Sequence, residues 1–264
     1  MILIESPDDP RVAPFRLNER GLTNRTQRRD DGGDGLFMAE GDLVVERALA
    51  AGCTPVMALV DAQRPPRQLI ARLDCPVYAG GDQLRAAITK LGMPYTVVAL
   101  FERPPRVRAA ELARRANRLV IAEAVDNPVN IGSIVRNSLA LGWDGLVIDH
   151  TSVDPLARRA LRVSMGHSLH LPHARTEDVP ALVRSLVADG VTVCALTPAA
   201  DAIDLADVPV SPRMALMVGS ERAGLSPGAL AAASHRVAIP MRCGVDSLNA
   251  AAATAVACWQ LRRR

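Results

Sequence analysis

The sequence predicts an α/β protein: a parallel sheet with helices on both faces, preceded by a small α/β domain. The first observation is a regular alternation from residue 119 onward. Strand-like apolar runs at 119–125, 145–149, 191–196, 215–218 and 237–239 are separated by helical stretches at 131–141, 155–164, 179–189, 227–234 and 248–263. Strands that alternate with helices pair in parallel and are covered on both faces. The second is composition: 49% of the 264 residues are hydrophobic, enough for a buried core. The third is an interruption near 102–108, where Pro104-Pro105 breaks both helix and ladder. It separates a first domain, 1–102, from a second, 103–264.

In the first domain, residues 23–35 are the most polar and glycine-rich stretch and read as a mobile loop. Residues 36–39 form a short strand. Leu43, Val44, Arg47, Ala48 and Ala51 follow helical spacing, with Gly52 as the stop. Strands at 55–60, 76–79 and 95–101 and a helix at 83–91 complete a small α/β unit.

Composition narrows the function classes. Aromatic residues are only 3%, against single-strand binding built on stacked bases. A net charge of +3 permits a polyanionic partner without demanding one. Six arginines between Arg103 and Arg118 face one acid, Glu111; a solvated helix face and a phosphate-contacting surface both fit. Cys53, Cys75, Cys194, Cys243 and Cys258 lack the short paired spacing of a zinc site or a disulfide framework. With no signal-like N-terminus and no apolar run of about 18 residues, a soluble cytoplasmic protein without a membrane segment is expected.

Three segments carry the chemistry: Asp126-Asn127-Pro128-Val129-Asn130-Ile131-Gly132-Ser133-Ile134-Val135-Arg136-Asn137, then Gly219-Ser220-Glu221-Arg222-Ala223-Gly224-Leu225-Ser226, then Ile239-Pro240-Met241 through Ser247-Leu248-Asn249. Each follows a strand-like run, and open α/β sheets bind ligands beyond the carboxyl ends of their strands. Asn130 sits where an N-cap belongs, and the amides beside Gly132 can hold an anion. Arg136, among apolar neighbours, needs a carboxylate, a phosphate or solvent. Gly219 allows a ligand to approach the backbone closely. Glu221 reads either as a site residue or as a surface carboxylate paired with Arg222. Ser247 reads as a site residue or a cap. The helix after Asn249 is nearly all small residues, suited to close packing.

Together the segments resemble the three motifs of the SpoU (TrmH-type) RNA ribose methyltransferases, in order, over roughly the last 145 residues. Phe37-Met38-Ala39-Glu40-Gly41 also looks like that family's small substrate-recognition domain. The resemblance implies a C-terminal trefoil knot, a rare exception to unknotted topology. It implies S-adenosylmethionine held near Thr197, Gly219, Ile239 and Leu248. It implies methyl transfer to a ribose 2′-hydroxyl of ribosomal or transfer RNA by Arg136, Asn130, Glu221, Ser247 and Asn249, in a homodimer whose site lies at the subunit interface. A guanidinium is not a base, so Arg136 is assigned to gripping phosphate and orienting the hydroxyl.

Arg222-Ala223 and Ala251 depart from the family's usual residues and bear on substrate fit. His167, His170 and His173, spaced by three, suggest a metal, but Pro172 and a strand-like 168–169 turn the rings apart, so none is expected. In 154–162, Asp154 caps a helix with Pro155 in its first turn, and Arg162 reads as facing RNA or solvent. The alternative function is a non-catalytic RNA-binding or ribosome-assembly protein with the same fold. An NAD-dependent enzyme is disfavoured, since no Gly-x-Gly-x-x-Gly follows a strand.

Overall fold

The computed structural model describes residues 1–23, 35–105 and 107–262. The loop expected at 23–35 lies outside them, apart from Thr23 and Gly35, which pair as an isolated bridge. The chain divides into two units: Met1–Pro105 with Leu156–His170, and Arg106–Pro155 with Leu171–Arg264.

The first unit holds, among the described residues, five strands: β1 (Ile2–Leu3), β2 (Leu36–Glu40), β3 (Pro55–Asp61), β4 (Val77–Gly80) and β5 (Val97–Glu102), in the order β1-β4-β3-β5-β2. Side chains alternate across a strand, and here both faces are buried. Phe37, Ala58, Val60, Ala99 and Phe101 pack on one face. Met38, Leu59, Val98 and Leu100 pack on the other with Val12, Phe15 and Ile88. Cross-strand partners Phe37 and Phe101 stack at 5.4 Å.

The segment Leu156–His170, expected in the second domain, packs in this first unit. Leu156 and Leu161 join its core. The Glu40 side chain is fully buried at the end of β2 and paired with Arg158 and Arg162; Arg158 Nε donates to it at 2.7 Å. A buried carboxylate requires such partners. Arg162 is therefore a structural cation, which corrects its reading as a residue facing RNA or solvent. The helix here is Arg158–Val163 with Ala157 as N-cap, not one capped by Asp154.

The second unit holds, among the described residues, a seven-stranded parallel sheet. Its strands are β6 (Arg118–Glu123), β7 (Gly145–Asp149), β8 (His173–Thr176), β9 (Thr192–Leu196), β10 (Ile203–Asp204), β11 (Met214–Gly219) and β12 (His235–Ala238). The order is β10-β12-β9-β11-β6-β7-β8. The chain runs outward from β6 through β7 to β8, crosses to β9, and later returns to lay β11 in the gap between β9 and β6. Leu119, Ile121, Ala215 and Met217 point to a core completed by Val183, Leu186 and Ala229. On the other face, helices Pro128–Ala140 and Ala250–Gln260 pack against each other. Ala250, Ala251, Ala257 and Cys258 are buried there.

Arg103 and Arg118, counted in the basic stretch, are buried rather than phosphate-facing; Arg106 lies outside the described residues. Arg103 Nε donates to Leu36 O at 3.1 Å. Arg118, 2% exposed, donates to Leu261 O at 3.0 Å, Pro212 O at 2.9 Å and Ser211 O at 3.0 Å. One guanidinium thus ties the end of the last helix to the approach of β11. A planar fork of five donors suits that task and an ammonium does not. Arg118→Met leaves these carbonyls without that donor. It should lower unfolding stability by at least about 3 kcal/mol in urea titrations, and Arg118→Lys should recover only part.

Candidate active site

The first site segment begins with Ala124, held at a φ of +55°. Asp149, ending β7, accepts from Ala124 N at 2.9 Å and from Ser152 N at 2.9 Å. Val125 N donates to Ser152 Oγ at 2.9 Å. Burial alone would raise the Asp149 carboxyl. The hydroxyls of Ser152 and Thr151 and the amides of Ala124 and Thr151 outweigh it and hold the pKa below the usual value. Two strand ends are thereby locked together just before the helix Pro128–Ala140.

The N-cap of that helix is Asn127, whose Oδ1 accepts from Val129 N at 2.9 Å. Asn130 is not the cap but a first-turn residue, 4% exposed, which frees its amide for the site. Pro128 at the first position starts the helix earlier than the apolar spacing suggested.

The second segment follows β11. A Cβ on Gly219 would lie 2.1 Å from the carbonyl carbon of Gly224. The lack of a side chain at Gly219 is therefore required by the loop itself. Gly224 N donates to Ser220 O at 2.9 Å, and Ala223 N to Ser220 Oγ at 3.1 Å. Ser226 N and Oγ donate to Glu123, the end of β6, at 2.8 and 2.9 Å. So pinned, the loop projects Glu221 and Arg222. No ion pair joins these two among the described residues.

In the third segment, Asn249 caps the helix Ala250–Gln260, its Oδ1 accepting from Ala251 N at 3.0 Å and Ala252 N at 3.3 Å. Ser247 is exposed and is not the cap.

The three segments meet at Glu221. Asn130 Nδ2 donates to Glu221 Oε1 at 3.1 Å, Asn249 Nδ2 donates to the same oxygen, and Asn249 Nδ2 also lies 2.9 Å from Asn130 Oδ1. Beside this cluster is a cavity of about 730 Å³, lined by Thr197, Gly219, Glu221, Ile239, Ser247 and Leu248 among others. All four residues expected to hold a cofactor line it. Arg136, six residues after Asn130 on the helix, is exposed and makes no hydrogen bond or ion pair among the described residues. The structure thus joins Asn130, Glu221 and Asn249, places Ser247 on the same cavity as Glu221, and leaves Arg136 outside the cluster.

Glu123 and Asp149, which hold the site loops, went unnoticed in the sequence. The only signal was an acid at the end of a strand-like run. Of the three histidines, His167 and His170 lie in the first unit with rings edge-to-face at 6.2 Å, while His173 starts β8 in the second. Burial pushes the Cys194 thiol up to about 12, so it is an inert core residue.

Asn130→Asp would set a second carboxylate where Nδ2 now donates to Glu221. Like charges raise the folded-state pKa of the pair above its unfolded value. Stability is then recovered below the carboxylate range and lost as pH rises through the raised value. The variant should be about 1–3 kcal/mol less stable than the parent at neutral pH in urea titrations. That gap should narrow on acidification.

Residues 117–259 match the model of the SpoU rRNA Methylase family. An uncharacterized tRNA/rRNA methyltransferase of Mycobacterium tuberculosis is 37% identical over 97% of this chain and 90% of that protein. A 23S rRNA guanosine 2′-O-methyltransferase of Bacillus subtilis is 29% identical over 86% of this chain and 88% of its own. Among solved structures, an AdoMet-bound rRNA methyltransferase from Sinorhizobium meliloti superposes with a TM-score of 0.82 at 27% identity, covering 98% of this chain and 96% of that one. A SpoU methyltransferase from Streptomyces viridochromogenes in complex with AdoMet gives 0.79 at 27% identity, covering 96% and 97%. The chain belongs to the SpoU rRNA methylase family and has that family's α/β fold with its C-terminal trefoil knot.

Proposed function

We propose that this protein transfers a methyl group from S-adenosylmethionine to a ribose 2′-hydroxyl of RNA. The observation that carries the proposal is the Asn130–Glu221–Asn249 cluster on the lip of the cavity.

The cavity suits the cofactor. Its volume of about 730 Å³ falls within the roughly 300–1,000 Å³ of small-molecule sites. Val237, Ile239, Met241 and Leu248 give it apolar surface for a purine, and the main chain around Thr197 and Gly219 offers polar groups. When bound, S-adenosylmethionine supplies a methyl group on a positively charged sulfur. Thr197, Gly219, Ile239 and Leu248 hold it.

Asn130, Ser247 and Asn249 position the ribose. The target hydroxyl exists in RNA and not in DNA, so the chemistry itself selects the polymer. Arg136, always protonated, grips the adjacent phosphate and orients the hydroxyl. Its exposure, with no hydrogen bond or ion pair to it among the described residues, supports an outward reach to a polyanion. A non-catalytic RNA-binding protein has no use for a carboxylate held by two amides beside a cavity.

The protein works as a homodimer. Supporting this, the last helix exposes Ala252, Val256 (43%) and Trp259 (56%) at helical spacing, an apolar stripe for a second copy. The first unit recognises the RNA, and relatives named for 23S rRNA make ribosomal RNA the first substrate to try. No helix among the described residues is long and apolar enough to cross a membrane, and a cytoplasmic site of action is proposed.

The test is transfer from labelled S-adenosylmethionine to unmodified ribosomal and transfer RNA transcripts, followed by nucleoside analysis. A 2′-O-methyl nucleoside is expected, its formation slowed by at least about 100-fold in Arg136→Ala. Failure of the protein to bind S-adenosylmethionine would refute the proposal.

A further inference from the structure

The destination of the ribose proton can be argued from the two unlike oxygens of one carboxylate. Glu221 Oε1 takes the amide donors of both Asn130 and Asn249, while Oε2 accepts no hydrogen bond among the described residues. We propose that Glu221 Oε2 is the atom that receives the proton of the ribose 2′-hydroxyl during methyl transfer. This rests on the ribose-methylation reading.

The other groups around the cluster do not serve. Arg136 and Arg222 are permanently protonated guanidinium groups. Asn130 and Asn249 are amides with their donors engaged by Glu221. Ser247 is a neutral hydroxyl. Glu123 has both oxygens occupied by Ser226. Asp246, on the third segment, lines the same cavity but has no hydrogen bond to either asparagine among the described residues. Among the described residues, only Glu221 combines a carboxylate, a place on the cavity and a contact with the residues that position the sugar.

A carboxylate is a weak base. A weak base suffices. As the ribose oxygen forms its bond to the methyl carbon, the methyl–sulfur bond breaks and its electron pair stays on sulfur. The oxygen gains positive charge and its O–H becomes strongly acidic. That bond then breaks with its electron pair left on oxygen, the proton moves to Oε2, and the carboxylic acid later releases it to water. The amides fix the carboxylate plane, so the open oxygen keeps one direction throughout.

The experiment compares the parent protein, Glu221→Gln and Asp246→Asn in single-turnover methylation from about pH 3 to 9. Affinities for S-adenosylmethionine and for RNA are measured alongside. Glutamine keeps the shape and can still accept from both asparagines, but it takes no proton. The parent rate should fall about tenfold per pH unit on its acid side. Glu221→Gln should be slower by at least about 100-fold near neutrality, without that acid limb, and with both affinities within about twofold of the parent. Asp246→Asn should keep the acid limb, whatever its effect on the rate. The proposal is overturned if Glu221→Gln retains more than about a third of the rate, keeps the acid limb, or loses cofactor affinity in proportion to rate. It is equally overturned if Asp246→Asn removes the limb. A parent protein that binds the cofactor and methylates no RNA at any pH would instead refute the ribose-methylation reading.

Discussion

The gap that the chain leaves between β9 and β6 is the constraint on which the second unit depends. An open slot in a parallel sheet exposes two rows of unpaired backbone groups, and buried backbone groups must be paired. Only β11 fills it, with Met214 to Gly219 registered against Arg118 to Glu123 on one side and Thr192 to Ala195 on the other. A strand so placed is buried on both faces, which is why Met-Ala-Leu-Met-Val is apolar throughout. The consequence is positional. The loop after β11 emerges in the middle of the sheet, at its carboxyl end, and has nowhere else to go.

The site follows from that placement and from economy in hydrogen bonding. Glu123, the β6 partner of Gly219, takes both donors of Ser226 and pins the loop. Gly219 and Gly224 touch so closely that no side chain fits between them. Asn249 uses one amide twice: its oxygen caps the last helix and its nitrogen reaches Glu221 and Asn130. The order of the last helix and the geometry of the site are therefore the same fact. Arg118 secures the far end of that helix, so both of its termini are tied to the strands that frame the site.

Much of this was legible in the sequence, for identifiable reasons. The strand at 145–149 was read to the residue because it is short, apolar and bounded by turn residues. The motif residues that line the cavity or meet at Glu221 were found because local order in the chain places them at strand mouths. What escaped was set by distant partners. The strand His173–Thr176 carries a single apolar residue and exists by pairing with β7. Leu156–His170 joins the first unit because Glu40 needs its arginines. Asn130 looked like a cap because nothing local reveals that Asn127 already is one. Arg103 and Arg118 looked like surface charge because the carbonyls they bind lie far along the chain.

If the three segments act as one ribose-methylating site around Glu221, their contributions to the rate are not independent. A double-mutant cycle on the single-turnover rate tests it, with Asn130→Ala, Asn249→Ala and the pair compared in an RNA that the parent protein methylates. If both amides hold the same carboxylate oxygen, the double variant is scarcely slower than the worse single one, a coupling of about 1–3 kcal/mol. Losses that simply multiply, agreeing with additivity to within about 0.5 kcal/mol, would show that the residues act separately and would contradict the account.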